Sequence, residues 1–196
     1  MDYPSDKIEI QVLDDSDDNS TAYVKNLISK LKNKSSRKIK HIIRKNRDGF
    51  KAGALKHGLK LAKGNYIAIF DADFIPRNDW LKKTISEFKD PKIGVVQTKW
   101  SHINKNFSLL TKIQAFALDI HFSLEQVGRN FKSCFLNFNG TAGIWRKEAI
   151  LESGNWDGDT LTEDLDLSYR AQLRGWRIKY MESVSYTHLT LPTNGC

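Results

Sequence analysis

The sequence predicts a single α/β domain with a doubly wound, mostly parallel sheet, and three observations support that fold class. The 196 residues are 40% apolar, which suits one domain with a hydrophobic core. Strand-like and helix-like segments alternate along the first half, an order that favours parallel strands joined by crossover helices. The clearest strand, residues 66–70, is a continuous apolar run, typical of a strand covered on both faces. We therefore expect ligands beyond the carboxyl ends of the strands.

Local periodicity and turn residues place the individual elements. Strands are predicted at residues 8–13, 39–43, 66–70, 93–97 and 177–181, and helices at residues 21–31, 51–62, 79–88, 109–127, 146–153 and 164–173. Residues 135–143 are apolar and end in small side chains, so a loop is predicted there. No linker-like segment interrupts the pattern, which favours one domain.

Composition and charge narrow the classes of partner. The formal net charge is +8, but the densest basic segment, residues 30–45, lacks interleaved aromatic side chains, so nucleic acid is disfavoured. A basic surface, anionic lipid and a phosphorylated substrate remain as explanations. The two cysteines, Cys134 and Cys196, have no zinc-ligand spacing, which fits a reducing compartment. The sequence shows no signal peptide and no apolar run of about 18 residues, the length expected of a membrane span.

Two carboxylates follow the apolar strand at residues 66–70. Asp71 and Asp73 are spaced to share one hard divalent cation. Such a cation would bridge a diphosphate and neutralise the charge that develops as it leaves. The alternative is an acidic loop that caps the next helix, and Asp79 is better explained as a cap or first-turn charge.

The first acidic cluster, at the end of the strand at residues 8–13, is compatible with a nucleotide. Asp14 can hydrogen-bond a base or ribose there, although taken alone a structural role is favoured. Asp17 and Asp18 are better explained as caps for the following helix.

A basic loop with two glycines opens the helix at residues 51–62. A helix N-terminus favours a phosphate, and Lys51 can reach one, with Arg44 and Arg47 beside it. The GxxxxGK[ST] order of a Walker loop is absent. A solvated basic turn is the alternative.

Two segments in the second half are suited to a sugar acceptor. Thr162, Glu163 and Asp164 open a helix, where carboxylates are often only caps, but inverting sugar transfer needs a general base on the acceptor hydroxyl. Residues 138–143 (Phe-Asn-Gly-Thr-Ala-Gly) would let a sugar approach the backbone closely. A tight turn is the alternative for that stretch.

In this order the motifs resemble those of the family-2 glycosyltransferases, specifically the cellulose-synthase-like branch. The matching segments are Val-Leu-Asp-Asp-Ser at residues 12–16, Lys-Ala-Gly-Ala-Leu at 51–55, Asp-Ala-Asp at 71–73, Phe-Asn-Gly-Thr at 138–141 and Thr-Glu-Asp at 162–164. The resemblance implies the GT-A fold and inverting transfer of a hexose to a glycan in polysaccharide synthesis.

The resemblance also implies how the donor is held. The donor would be a nucleotide-diphosphate sugar, UDP-glucose or GDP-mannose. Asp14 and Asp71 would bind its nucleotide, and Lys51 would support its phosphates. Asp71 and Asp73 would engage Mg²⁺ or Mn²⁺.

On the acceptor side, the resemblance implies a base and a binding loop. Asp164 would be the catalytic base, with Glu163 beside the acceptor. The glycan acceptor would lie against Asn139, Gly140 and Thr141.

The resemblance covers residues 8–183, and we expect the chain to be incomplete at both ends. The family's Tyr-Asn-Glu segment, its Gln-x-x-Arg-Trp motif and its flanking membrane helices are not in the sequence. We therefore expect a longer parent, an integral membrane protein with this domain on the cytoplasmic side. Residues 184–193 back-translate to a string that resembles a transposon-end sequencing adapter, so the predicted native domain is 1–183 and 184–196 is predicted adapter read-through.

Three alternatives stay open. The chain can be a nucleotide-sugar-binding piece without turnover. A phosphatase of the haloacid-dehalogenase type also places two aspartates after an apolar strand, but Phe74 and Ile75 stand where its usual Thr is expected. The aromatic-rich helix at residues 109–127 is either an interfacial helix against a membrane or an ordinary core helix.

Overall fold

The computed structural model describes residues 1–34, 37–102, 105–132 and 134–188. The strands are β1 Glu9–Asp14, β2 Lys38–Ile43, β3 Tyr66–Ile69, β4 Phe74–Ile75, β5 Ile93–His102, β6 Gly143–Arg146 and β7 Arg177–His188. The α-helices are α1 Ser20–Lys34, α2 Phe50–Leu61, α3 Trp80–Ile85, α4 Leu109–Ile120, α5 Val127–Phe131, α6 Lys147–Glu152 and α7 Glu163–Leu173. Short 3-10 turns cover Ser5–Lys7 and Ser86–Lys89, and a π-helical segment, His121–Gln126, joins α4 to α5.

The strands form two sheets. β1 and β2 pair in parallel, and the larger sheet has the order β3-β6-β5-β7-β4. β6 runs antiparallel to both β3 and β5, β5 and β7 are parallel, and β4 is antiparallel to β7. The α/β class is confirmed, but the large sheet is mixed rather than mostly parallel because β6 lies between two strands of the opposite direction.

The sequence analysis did not predict β6. This strand determines where the loop at residues 139–142, part of the candidate site, lies. β6 begins at Gly143, which lies opposite Ile69 at the end of β3 and opposite Gln97 in β5. Because β6 is antiparallel, the loop that precedes it meets the carboxyl ends of its neighbours. The loop at residues 139–142 therefore lies beside the residues that follow β3.

Both faces of the large sheet are covered at its central strands β5 and β6. The prediction that the strand at residues 66–70 is covered on both faces is wrong, because β3 lies at the end of the described strand order and exposes Tyr66 and Ala68. Val95 and Trp145 pack into one buried cluster, whereas their chain neighbours Val96 and Ile144 pack into another. Adjacent residues of a strand point to opposite faces, so the two clusters lie on opposite sides of the sheet. This double covering explains why β5 and β6 are apolar on both faces.

The helical segment predicted at residues 109–127 extends to residue 131. The π-helical segment His121–Gln126 separates its two α-helical parts, α4 and α5. Its large apolar side chains are mostly exposed, including Phe116 at 67% and Leu109 at 75%. The other side of the segment packs in the core, where Phe122 is buried and Leu118 and Val127 lie against the same cluster, so neither interpretation of residues 109–127 is excluded. Within the residues that the structure describes, no helix combines the length and the apolar character needed to cross a bilayer.

The last strand also exceeds its prediction. β7 extends to His188 instead of ending near Met181, and Lys99 of β5 lies opposite Ser185. β4, which the sequence analysis did not predict, pairs with this same extension. The interpretation of residues 184–196 as adapter read-through stays a prediction, and residues 189–196 lie outside the described part of the chain.

Candidate active site

Asp14 ends β1 and is 6% exposed. Its Oδ1 accepts a hydrogen bond from the Ser16 backbone N–H at 3.0 Å, and its Oδ2 lies 2.7 Å from His41 Nε2 on β2. Burial by itself raises the pKa of Asp14, but the hydrogen bonds from Ser16 and His41 outweigh it and hold the pKa below its ordinary value of 3.8. A fixed, ionised carboxylate therefore stands at the carboxyl end of β1.

Arg44 has a structural role in the basic loop before α2. Its Nε donates to Asp15 Oδ1 at 2.9 Å, Nη2 forms a second contact with Asp15, and the carbonyls of Asp48 and Phe50 accept at 2.8 and 3.0 Å. The hydrogen bonds from Arg44 hold the pKa of Asp15 below its ordinary value. Because its donors are occupied by Asp15 and two carbonyls, Arg44 has a structural role in this loop.

The other aspartates of the first acidic cluster, Asp17 and Asp18, contact residues of the nearby loops and of the start of α1. Asp18 Oδ1 accepts from the Ser20 backbone N–H at 2.8 Å at the start of α1, which confirms its predicted capping role. Asp17 pairs with Arg47 at 3.0 Å on the surface. The partners of both aspartates, Ser20 and Arg47, thus lie outside the segment that follows β3.

Lys51, in the first turn of α2, reaches the carboxylate that follows β3. Its Nζ lies 2.7 Å from Asp71 Oδ1, and the two side chains are 41% and 40% exposed. The backbone N–H of Asp71 donates to Thr141 Oγ1 at 3.0 Å. The motifs predicted to bind the donor and the acceptor lie in separate segments of the sequence. In the structure they meet at Asp71.

Gly140 is the point at which the predicted catalytic groups converge. It adopts a left-handed φ of +71°, and a Cβ added there would lie 3.0 Å from Asp164 Oδ2 and 3.4 Å from Lys51 Nζ. The Asp164 carboxylate and the Lys51 ammonium therefore face the same turn. Glycine is required here for both its φ and the close approach of the two charged groups.

Asp164 lies in the first turn of α7 and is held from two sides. Its Oδ1 accepts from the Leu165 backbone N–H at 2.8 Å, and its carbonyl accepts from Ser168 Oγ. Ser168 Oγ in turn accepts from the Phe138 N–H at 2.9 Å. The start of α7 is therefore tied to the loop at residues 138–142, and Glu163 is the first residue of the same helix.

Buried polar residues on β5, which the sequence analysis did not single out, clamp the acceptor-side loop. Gln97 is 1% exposed, its Nε2 lies within 3.3 Å of the Thr141 and Ala142 carbonyls, and its Oε1 accepts from the Asn139 N–H at 3.0 Å. Thr98 Oγ1 donates to the Ala142 carbonyl at 2.8 Å. The signal available in the sequence was the polar pair Gln97 and Thr98, which follows two valines inside a buried strand. Buried polar groups need hydrogen-bond partners, so such a pair indicates contacts with another segment.

Asp71 and Asp73 can supply carboxylate ligands to a divalent cation, which would take its remaining ligands from outside the chain. Asp71 Oδ1 already accepts a cation, the Lys51 ammonium, and Asp73 is exposed on the turn after β3. Among the described residues, no group of three His, Cys, Asp or Glu side chains is clustered to hold a metal. Mg²⁺ and similar cations take one or two protein carboxylates plus substrate phosphates, so this donor set fits.

Nearly the whole chain is similar in sequence to proteins of a known enzyme family. Residues 1–195 match the profile of the family described as glycosyltransferase like family 2, so the chain belongs to that family, and the predicted resemblance is confirmed. It is 46% identical over 189 residues to a probable glucomannan 4-beta-mannosyltransferase 2 of Oryza sativa subsp. japonica, covering 93% of this chain and 32% of that protein. It is 44% identical over 191 residues to glucomannan 4-beta-mannosyltransferase 9 of Arabidopsis thaliana, covering 94% and 35%. The chain spans about a third of the length of these curated relatives.

Solved structures confirm the GT-A fold. The mannosyltransferase PcManGT from Pyrobaculum calidifontis, in complex with GDP-Man and Mn²⁺, has a TM-score of 0.74 at 22% identity and covers 98% of this chain and 51% of that chain. TarS 1-349 of S. aureus in complex with UDP has a TM-score of 0.69 at 18% identity and covers 97% and 54%. At these identities the likeness concerns the fold alone.

Proposed function

We propose that the protein containing this chain transfers mannose from GDP-mannose, with inversion, to a β-mannan or glucomannan acceptor. The observation that carries the proposal is the convergence of Asp164 Oδ2 and Lys51 Nζ on Gly140, with Lys51 paired to Asp71. One turn is thus flanked by a base for an acceptor hydroxyl and by a cation for a departing diphosphate. Inverting transfer needs both a base for the acceptor hydroxyl and stabilisation of the leaving diphosphate.

The relatives favour the mannosyl donor over UDP-glucose. The plant relatives are named as glucomannan 4-beta-mannosyltransferases, and the solved mannosyltransferase carries GDP-Man and Mn²⁺. Mannose is α-linked in GDP-mannose, so a β-linked product requires inversion at the anomeric carbon. A single displacement by the acceptor oxygen meets that requirement.

On the donor side, the residues of the chain bind and orient. Asp14 is positioned to accept from the base or ribose of the nucleotide, and Lys51 to bind the diphosphate. Asp71 and Asp73 would hold Mg²⁺ or Mn²⁺, which supplies charge neutralisation to the leaving diphosphate when bound. The ionised Asp14 carboxylate and the exposed Asp73 carboxylate support these assignments.

On the acceptor side, the loop offers an unused donor. Asn139 Nδ2 is buried and has no hydrogen-bond partner among the described residues, whereas the Asn139 backbone is fixed by Gln97. A buried, unpaired N–H is costly unless a ligand satisfies it, so the Asn139 side-chain amide is suited to donate a hydrogen bond to a sugar hydroxyl oxygen. In the proposal Gly140 and Thr141 take part in the same acceptor contact, and Glu163, the first residue of α7, assists from the helix that carries Asp164.

In the proposed reaction, Asp164 removes the proton from the attacking acceptor hydroxyl as the new glycosidic bond forms. Oδ1 of Asp164 is engaged by the Leu165 N–H, which leaves Oδ2, on the Gly140 side, as the oxygen that takes the proton. The bond between the anomeric carbon and the diphosphate breaks at the same time. GDP departs with the electron pair of that bond.

The test compares donors in the full-length protein. Membranes from cells expressing it are supplied with labelled GDP-mannose or UDP-glucose and a mannan oligosaccharide acceptor, and the product linkage is read by a β-mannanase. We expect a β-mannanase-sensitive product from GDP-mannose with either Mg²⁺ or Mn²⁺ present. Incorporation from UDP-glucose alone would overturn the donor assignment, and α-linked product would overturn inversion.

We further propose that the full-length protein is membrane-bound with this domain on the cytoplasmic side, where nucleotide sugars are made. The observation in its favour is the exposed apolar side of α4 beside the acceptor half of the domain. For the 196-residue chain alone we expect little or no transfer. A transfer rate equal to that of the full-length protein would contradict this expectation.

A further inference from the structure

The ion pair between Lys51 and Asp71 occupies an oxygen that the proposed function also needs. Lys51 Nζ lies 2.7 Å from Asp71 Oδ1, so this oxygen already has a cationic partner. In the proposed function, which this inference rests on, the same carboxylate binds a divalent cation. A Lys ammonium and a divalent cation cannot both bind one oxygen at full strength, because like charges at contact distance repel.

We propose that Lys51 is an exchangeable placeholder cation, which makes metal binding dependent on the nucleotide sugar. Without a donor, the Lys51 ammonium holds Asp71 and weakens its affinity for a free divalent cation. When a diphosphate arrives, Lys51 transfers from the carboxylate to the phosphate oxygens. Asp71 Oδ1 is then available, so the cation and the donor bind together.

The exposure of the pair makes this exchange feasible. The two side chains are 41% and 40% exposed, and ion pairs with this access to water are weak. Lys carries its charge on a flexible four-carbon stem, which can redirect the ammonium without moving α2. By contrast, Arg44 is 9% exposed and bound to Asp15 and two carbonyls, so it is a fixed structural cation.

The surroundings of Lys51 keep it within reach of its second partner. Its Nζ lies 3.4 Å, and Asp164 Oδ2 lies 3.0 Å, from the point where a Gly140 Cβ would be. The ammonium therefore lies between the carboxylate after β3 and the carboxylate of α7. A diphosphate that enters this space is attracted to Lys51 and repelled by both carboxylates, which favours a shift of Lys51 toward the phosphate.

The test measures Mn²⁺ binding to the full chain by electron paramagnetic resonance of free Mn²⁺, with and without GDP. Lys51→Met should tighten the binding of Mn²⁺ alone by about two- to fivefold, the strength of an exposed ion pair. It should weaken GDP binding and reduce the factor by which GDP enhances Mn²⁺ affinity. Lys51→Gln serves as a second variant, and thermal melting of each variant checks that it is folded.

Lys56→Met is the matched control for loss of one charge from the same helix. Lys56 is exposed on α2, and no hydrogen bond or ion pair to it is found in the described part of the chain. We expect it to leave Mn²⁺ binding unchanged. Equal tightening in Lys56→Met and Lys51→Met would overturn the placeholder role, because the effect would then come from general charge.

Asp73→Asn separates failure of this inference from failure of the proposed function. If Asp73→Asn weakens Mn²⁺ binding but both Lys51 variants bind Mn²⁺ alone no tighter than the unmodified chain, only the placeholder role is overturned. If Asp73→Asn leaves Mn²⁺ binding unchanged with and without GDP, the metal assignment fails and the placeholder role falls with it. Tighter Mn²⁺ binding in both Lys51 variants, with a reduced GDP effect, supports the proposal.

Discussion

The donor side and the acceptor side of the candidate site are built differently. Lys51 and Asp71 are about two-fifths exposed and held by one ion pair, whereas Gln97 and Thr141 are 1% exposed and held by several hydrogen bonds. Exposed charges exchange partners at small cost, but buried polar groups lose heavily when a partner is removed. Under the proposed function, this difference favours a donor side that exchanges ions and an acceptor side that keeps a fixed shape.

The largest expected effect lies where the two sides meet. Asp164→Asn keeps the size of the side chain but removes the base, so we expect transfer by the full-length protein to fall by about 10²- to 10⁴-fold with GDP affinity roughly kept. Labelled mannose incorporation and GDP binding are the measurements. Asp159→Asn, in the exposed loop before α7, is the matched control and should retain transfer. An active Asp164→Asn protein would exclude Asp164 as the base.

The next effect tests the exchangeable donor side. Asp73→Ala removes a proposed cation ligand without emptying a buried space, so Mn²⁺-dependent GDP binding should weaken by about tenfold or more, equivalent to at least about 1.4 kcal/mol. Titration calorimetry with and without Mn²⁺ measures it. Asp79→Ala is the control, since Asp79 pairs with Lys83 and Arg77 outside the proposed site. An unchanged Mn²⁺ dependence in Asp73→Ala would contradict the metal assignment.

A third prediction tests the rigidity of the acceptor side. Gln97→Leu leaves the Asn139 N–H and the Thr141 carbonyl without this partner, so the free energy of unfolding should fall by about 1–3 kcal/mol. Because the loop at residues 139–142 loses its clamp, the KM for acceptor should rise more than the KM for donor. Equal changes in both KM values would indicate a general folding defect.

The smallest expected effect is the pH dependence of the loop before α2. Arg44 holds the pKa of Asp15 below its ordinary value of 3.8, so the ionised pair stabilises the fold above that pH. This stabilisation is lost as the pH falls through the lowered pKa. Asp15→Asn should therefore destabilise the chain at about pH 7, and this destabilisation should decrease as the pH is lowered below 3.8, as measured by urea unfolding. A difference that is independent of pH would show that Asp15 acts through packing instead.

The sequence predicted the elements better than their arrangement. Short apolar segments located β1, β2 and β3, because each of these segments lies between clear turn residues. It could not show that β6 inserts antiparallel between β3 and β5, since a short apolar run before small residues also fits a loop. Pairing of this kind is decided by contacts distant in the sequence, which local patterns do not record.

The same limit applies to the site. The charged residues Asp14, Lys51, Asp71 and Asp164 were identified in advance because their spacing matches a family pattern. Gln97 and His41 were not, because their importance comes from hydrogen bonds to the loop and to Asp14, which appear only when the strands are paired. The role of Arg44 was also unresolved, since a basic loop residue can face either a phosphate or, as here, a carboxylate.

The late position of β6 in the chain has a consequence for folding. The hydrogen bond between the Asp71 N–H and Thr141 Oγ1 joins residues that are 70 apart in sequence. Contacts of such separation carry a large loop-closure entropy and form after local structure. During synthesis, β3 and its two aspartates therefore emerge long before the strand that completes their surroundings. The candidate site is therefore complete only after β6 has entered the sheet between β3 and β5.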